Sequence, residues 1–66
     1  MDIVIVHLTN GRWKITLGKR EASKRLTTRV MRELRELTDD DFGCTKDGEW
    51  WFKVDDFEEA KVIMGI

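Results

Sequence analysis

Side chains able to do chemistry are few in kind here and unevenly placed. Carboxylates gather at Asp39, Asp40 and Asp41, and again at Asp55, Asp56, Glu58 and Glu59. Hard cations such as Mg²⁺ and Ca²⁺ take oxygen ligands, so the Asp39–Asp41 run has the right donor type. Its spacing is wrong: it fits no EF-hand loop, and three consecutive side chains diverge. Turn and cap duties account for Asp39, Asp40, Asp41 and Asp55 at lower cost. His7 and Cys44 are the single histidine and the single cysteine. A nucleophilic dyad would need them to meet across a sheet, and no motif supports that. A strand histidine near Lys14 on a half-exposed face, and a cysteine packed as a small hydrophobe, are the plainer readings. There is no phosphate-binding loop, no dinucleotide fingerprint and no HExxH. A chain this short has little room for both a core and a walled ligand pocket. The expectation is therefore no catalysis, no metal, no cofactor and no small-molecule substrate.

Binding chemistry is better supplied. Arg25, Arg29 and Arg32 recur at helical spacing, with Lys24 and Arg35 beside them and Lys19 and Arg20 just ahead. Phosphate contact needs only charge and reach. Glu21, Glu33 and Glu36 partly neutralise the same stretch, so a solvated, ion-paired helix face is the preferred reading. Trp50 and Trp51 stand side by side in the run EWWFKV. In a β-strand, neighbours point to opposite faces of the sheet. Trp50, Phe52 and Val54 share an apolar face and belong to a core. Trp51 lies between Glu49 and Lys53 on the other face, and burying a ring of that size is worth a few kcal/mol. A helix, a second copy, another protein or a nucleic-acid base must cover it, or it stands in water.

Three kinds of element have to position these groups. Residues 2–8, DIVIVHL, and 12–17, RWKITL, flank Asn10-Gly11, a strong hairpin signal. A two-residue turn pairs Leu8 with Trp13, Val6 with Ile15 and Val4 with Leu17. It sends Ile3 and Ile5 to the opposite face, where they would join Cys44 and Trp51 in one apolar patch. A single helix is expected from Lys19 or Ser23 to Thr38, with Leu26, Val30, Leu34 and Leu37 on one stripe. A second hairpin is expected around Asp47-Gly48, pairing Cys44 with Trp51. Asp55 and Glu58 then read as a capping box opening a short C-terminal helix. The order is β-β-α-β-β-α: an α+β fold, one antiparallel sheet of two hairpins packed by a central amphipathic helix and a short C-terminal one. How the hairpins join is left open.

Composition bounds the rest. Sixty-six residues with 41 % hydrophobic content make one compact domain over residues 1–66. A chain of this size hides only about 60 % of the surface its unfolded form exposes. One cysteine permits no internal disulfide and no multi-thiolate zinc site, which points to an intracellular, cytoplasmic location. No apolar run approaches the roughly 20 residues of a membrane span, and MDIVIVHL does not fit a signal peptide. The net charge of −1 hides a division: residues 1–38 carry nine Lys/Arg against four Asp/Glu, and residues 39–66 three against nine.

The expected function is that of a small non-catalytic interaction module. It would act as a regulator or inhibitor by docking on a larger protein, including a nucleic-acid-processing one, or on itself. Small inhibitory proteins, phage-encoded ones among them, share this size and charge; the analogy extends no further. The partner-binding residues expected are Trp51, Ile3 and Ile5, with Arg25, Arg29 and Arg32 or Asp39, Asp40 and Asp41 as steering charge. The alternative is nucleic-acid binding through the arginine face of residues 23–38, with Trp51 stacking on a base. No membrane partner is expected.

Overall fold

A computed structural model describes residues 2–66. Four strands and three helices follow in the order β1 (Ile3–His7), β2 (Trp13–Leu17), α1 (Lys19–Arg25), α2 (Thr28–Leu37), β3 (Phe42–Cys44), β4 (Trp50–Val54) and α3 (Phe57–Met64). The strands form one antiparallel sheet in the order β1-β2-β4-β3. The two hairpins therefore join through β2 and β4, with Ile15 opposite Phe52 and Thr16 opposite Trp51. The fold is α+β, as the alternation of hairpins and helices implies.

Both hairpins are displaced by one residue from the expected register. β1 pairs Ile3 with Leu17, Ile5 with Ile15 and His7 with Trp13. β3 pairs Phe42 with Phe52, Gly43 with Trp51 and Cys44 with Trp50. The cause is the same in each: three loop residues instead of two, Thr9-Asn10-Gly11 and Lys46-Asp47-Gly48. Leu8 and Arg12, and likewise Thr45 and Glu49, close these loops by backbone bonds. The loops end at Gly11 and Gly48, with φ of 87° and 86°. A glycine in this left-handed conformation at the third loop position is the mark of the bulged hairpin. Strand side chains alternate with period two, so a one-residue slip sends a whole strand to the other face. Ile3 and Ile5 consequently lie on the helix side of the sheet, and Val4 and Val6 on the other.

The core lies between the sheet and the helical layer. Ile15, Leu17, Phe52 and Val54 from the two central strands meet Ala22 of α1, Val30 and Leu34 of α2, and Ala60 and Met64 of α3. Trp13, Trp50, Phe42 and Ile3 pack around this centre. All the strand residues in it point to one face of the sheet, so all three helices cover the same face and leave the other bare.

The expected single helix is two. It stops at Leu26, and Thr27 takes an extended conformation (φ −75°, ψ 168°) from which its side chain accepts the Val30 N–H. Thr27 and Thr28 are both β-branched, and threonine serves better as a cap than inside a helix. The break turns Val30 and Leu34 onto the core independently of α1. α3 is capped by Asp56, whose Oδ1 accepts the Glu59 N–H at 3.0 Å, rather than by Asp55. The Asp55 side chain instead accepts from Arg12. No helix among the described residues is long and apolar enough to cross a membrane.

Candidate functional site

The bare sheet face follows from strand parity. β1 contributes Val4 and Val6, β2 contributes Lys14 and Thr16, and β4 contributes Trp51 and Lys53. Gly43 of β3 lies opposite Trp51. Val4 and Val6 are 50 % and 45 % exposed. Trp51 is half-buried. Its indole lies across Gly43, where a Cβ would come within 2.7 Å of the ring carbon Cζ2.

Lys14 and Lys53 are direct neighbours on adjacent strands. Like charges in that position destabilise a sheet. Here both ammonium groups lie over the Trp51 ring, at 5.6 Å and 5.4 Å from its centroid. The ring's negative face offsets part of the repulsion, since such contacts are worth roughly 0.5–1 kcal/mol each at exposed sites. An aromatic surface carrying two cations suits a partner that brings both negative charge and apolar area.

Arg12 closes one end of this face. Its Nη1 donates to Asp41 Oδ2 at 2.7 Å, its Nε to Asp55 Oδ1 at 3.1 Å and its Nη2 to the Lys53 carbonyl at 2.9 Å. The two acidic segments of the chain thus meet on one guanidinium. Arg35 Nε donates to Asp40 Oδ1 at 2.8 Å. Asp39 and Asp40 have φ of 54° and 65°, left-handed values that aspartate tolerates better than most residues. Asp39–Asp41 therefore reverse the chain between α2 and β3, as the turn reading expects. Among the described residues no group of three His, Cys, Asp or Glu side chains converges in a way that suits a metal ion.

The other expected site residues are dispersed. Arg25 takes Glu21 as its ion-pair partner and donates from Nη1 to the Met64 and Gly65 carbonyls at 3.1 Å and 2.8 Å, tying α1 to the end of α3. The guanidinium bonded to Glu21 Oε1 holds that carboxyl below its ordinary value. Arg29 and Arg32 are exposed on α2, whose inner side (Val30, Leu34) faces the core. They sit in the helical layer, across the sheet from Trp51. The arginine face of residues 23–38 and the Trp51 ring thus lie on opposite sides of the sheet.

Ile3 and Ile5 do not join Trp51, because the register puts them on the helix side beside Glu21 and Arg25. Cys44 is exposed, opposite Trp50 rather than Trp51. His7 stacks on Trp13 with ring centroids 4.1 Å apart, so it does not share Lys14's face. A concavity of about 620 Å³ is an open surface dish lined by Asp2, Lys19, Arg20, Ser23 and Lys24.

Sequence reasoning missed Val4, Val6, Arg12, Lys14 and Lys53. Parity within residues 49–54 puts Lys53 beside Trp51, so that much was available. Lys14 needed the β2–β4 pairing, and Val4 and Val6 needed the loop length. No protein-family model, no curated protein and no solved structure matches the chain.

Proposed function

We propose that this protein is a non-catalytic interaction module that docks a larger, acidic protein partner on its bare sheet face, with Trp51 as the anchor. The observation that carries the reading is the Trp51 ring beneath two opposed lysines on a face that no helix covers. Val4 and Val6 extend the face with apolar area. Aromatic anchors flanked by polar groups tend to dominate such interfaces. Arg29, Arg32, Asp39 and Asp40 lie outside this patch and would at most steer the approach.

A second reading uses the same face. An open antiparallel sheet with one aromatic ring and nearby cations is the layout on which single-stranded nucleic acids stack. Lys14 and Lys53 favour it. The exposed valines, which offer nothing to a phosphate chain, favour the protein partner.

One pair of measurements separates the readings. Affinity capture from host extract compares the wild type with Trp51→Ala and Lys53→Glu. Fluorescence anisotropy with a labelled oligothymidylate is run at low salt and again at high salt. The first reading expects a protein captured by the wild type and lost with both variants. Loss of an anchor costs about 2 kcal/mol or more, roughly 30-fold in affinity. Oligonucleotide binding that falls steeply with salt and vanishes in Trp51→Ala would replace it with the second. Capture indifferent to both substitutions would remove the sheet face from consideration.

A further inference from the structure

The sheet has two edges, and they are built differently. β3 is three residues long and is flanked by Asp39, Asp40, Asp41, Lys46 and Asp47. Short length and nearby charge are the usual protections of an edge. β1 is five residues long, reads IVIVH, and contains no proline, lysine, aspartate or glutamate. Val4, Ile5 and Val6 at its centre are 50 %, 41 % and 45 % exposed. An unprotected apolar edge of this kind is a template for another strand.

Its hydrogen-bond phase identifies the strand it fits. Leu8 N–H donates to the Arg12 carbonyl, and Gly18 N–H to the Asp2 carbonyl. These bonds turn the even-numbered residues toward β2. Antiparallel alternation then turns the N–H and C=O of Ile3, Ile5 and His7 outward. A two-fold axis through Ile5 sets Ile5 opposite Ile5 of a second copy, and Ile3 opposite its His7. All three outward residues then fall in hydrogen-bonded pairs, with no donor or acceptor left over between them. On the bare face Val4 meets the second copy's Val6, two side chains of equal size. No charged side chain of β1 opposes a like charge.

We propose that β1 pairs antiparallel with β1 of a second copy about this axis, joining two four-stranded sheets into one of eight. Five residues span about 17 Å, short of the contact a permanent dimer makes. The association is therefore a reversible, concentration-dependent equilibrium with a dissociation constant in the micromolar range. It stands independently of the Trp51 reading: the two Trp51 rings end up on the same broad face, outside the new contact.

Sedimentation equilibrium over a range of chain concentrations, with Ile5→Pro beside the wild type, tests the pairing. Proline at this position removes only an outward-facing N–H, which edge strands tolerate. The wild-type mass should approach twice that of the chain. Ile5→Pro deletes two interchain bonds and should raise the dissociation constant about 10- to 100-fold. If Ile5→Pro loses its circular dichroism, Val4→Lys with Val6→Lys replaces it, because both side chains are exposed and would meet across the axis. Register is checked in a Cys44→Ser background. Ile5→Cys should cross-link on mild oxidation, since hydrogen-bonded partners about 5.5 Å apart at Cα are within disulfide reach. Val62→Cys, on an 80 % exposed position of α3, should not. A wild type that stays monomeric at millimolar concentration overturns the proposal. So does a dimer that survives both β1 variants, and so does a dimer abolished by Trp51→Ala, which would be a face-to-face one.

Discussion

Trp51 and Gly43 are fitted to one another across the β3–β4 ladder. The indole occupies the space where a side chain at position 43 would stand, so that an added Cβ would lie 2.7 Å from Cζ2, 2.8 Å from Cε2 and 2.9 Å from Nε1. Contacts that short do not persist, and the ring, the strand or both must shift. The glycine thus fixes where the ring rests and keeps it beneath Lys14 and Lys53.

Gly43→Ala should dislodge the ring without unfolding the chain. Overpacking inside a core costs roughly 1–3 kcal/mol. On an open face the ring can swing outward, so about 1 kcal/mol is expected by urea titration. The indole N–H resonance of Trp51, assigned by its loss in Trp51→Phe, should move well beyond those of Trp13 and Trp50. An unmoved resonance would mean that the ring does not rest on Gly43.

Arg12 joins four parts of the chain: the end of the first hairpin loop, Asp41 before β3, the Lys53 carbonyl of β4, and Asp55 ahead of α3. Charge-assisted bonds are the stronger kind, and the Arg12 side chain is only 24 % exposed. Arg12→Ala should cost about 2 kcal/mol. Arg12→Lys should recover less than half of that, because an ammonium cannot present three donors in one plane. Denaturant midpoints of the two variants measure this. Equal midpoints for Arg12→Lys and the wild type would show that charge alone matters.

Glu21 ties stability to pH. Its carboxyl is held below the ordinary value of 4.5, mainly by the hydrogen bond from Arg25. A folded-state value lower than the unfolded one means that the unfolded chain binds the proton more readily. The stabilisation is therefore present in full above the ordinary glutamate range and is lost as pH falls through the lowered value. Denaturant titrations of Glu21→Gln and wild type should differ at pH 7 and converge in acid. A gap that widened in acid would reverse the sign and exclude the ion pair as its source.

What the sequence made legible tracks how strongly each element's pattern restricts it. β2 alternates between apolar and polar residues, and β4 departs from alternation only at Trp51, so their faces could be read directly, and Trp51 stands on the bare face as parity requires. β1 is apolar from Ile3 through Val6, so its pattern fits either register, and only the loop length decides between them. The Asn10-Gly11 and Asp47-Gly48 pairs mark the turns without giving that length. The same one-residue slip therefore occurs twice and carries Ile3, Ile5 and Cys44 away from Trp51. The pairing of β2 with β4, which brings Lys14 to Lys53, leaves no local signature at all. The divided helix was hidden for a similar reason. Thr27 has Val30, and not Glu or Gln, three residues on, so the sequence signature of a capping box is missing.

That hidden cap permits a test in which the two descriptions predict opposite signs. If residues 19–38 formed one continuous helix, Thr27 would be an interior β-branched residue. Alanine would then stabilise the protein by a few tenths of a kcal/mol. Thr27 instead lies between α1 and α2 and accepts the Val30 N–H through Oγ1 at 3.2 Å. Thr27→Ala leaves that donor without its partner and should cost about 1 kcal/mol. Thr27→Ser keeps the hydroxyl oxygen and should stay within a few tenths of the wild type. Thermal or urea unfolding of the three proteins reads the difference directly. A more stable alanine variant would mean an unbroken helix. Val30 and Leu34 would then follow the phase of Ala22, and the helical layer would have to pack on the sheet in another way.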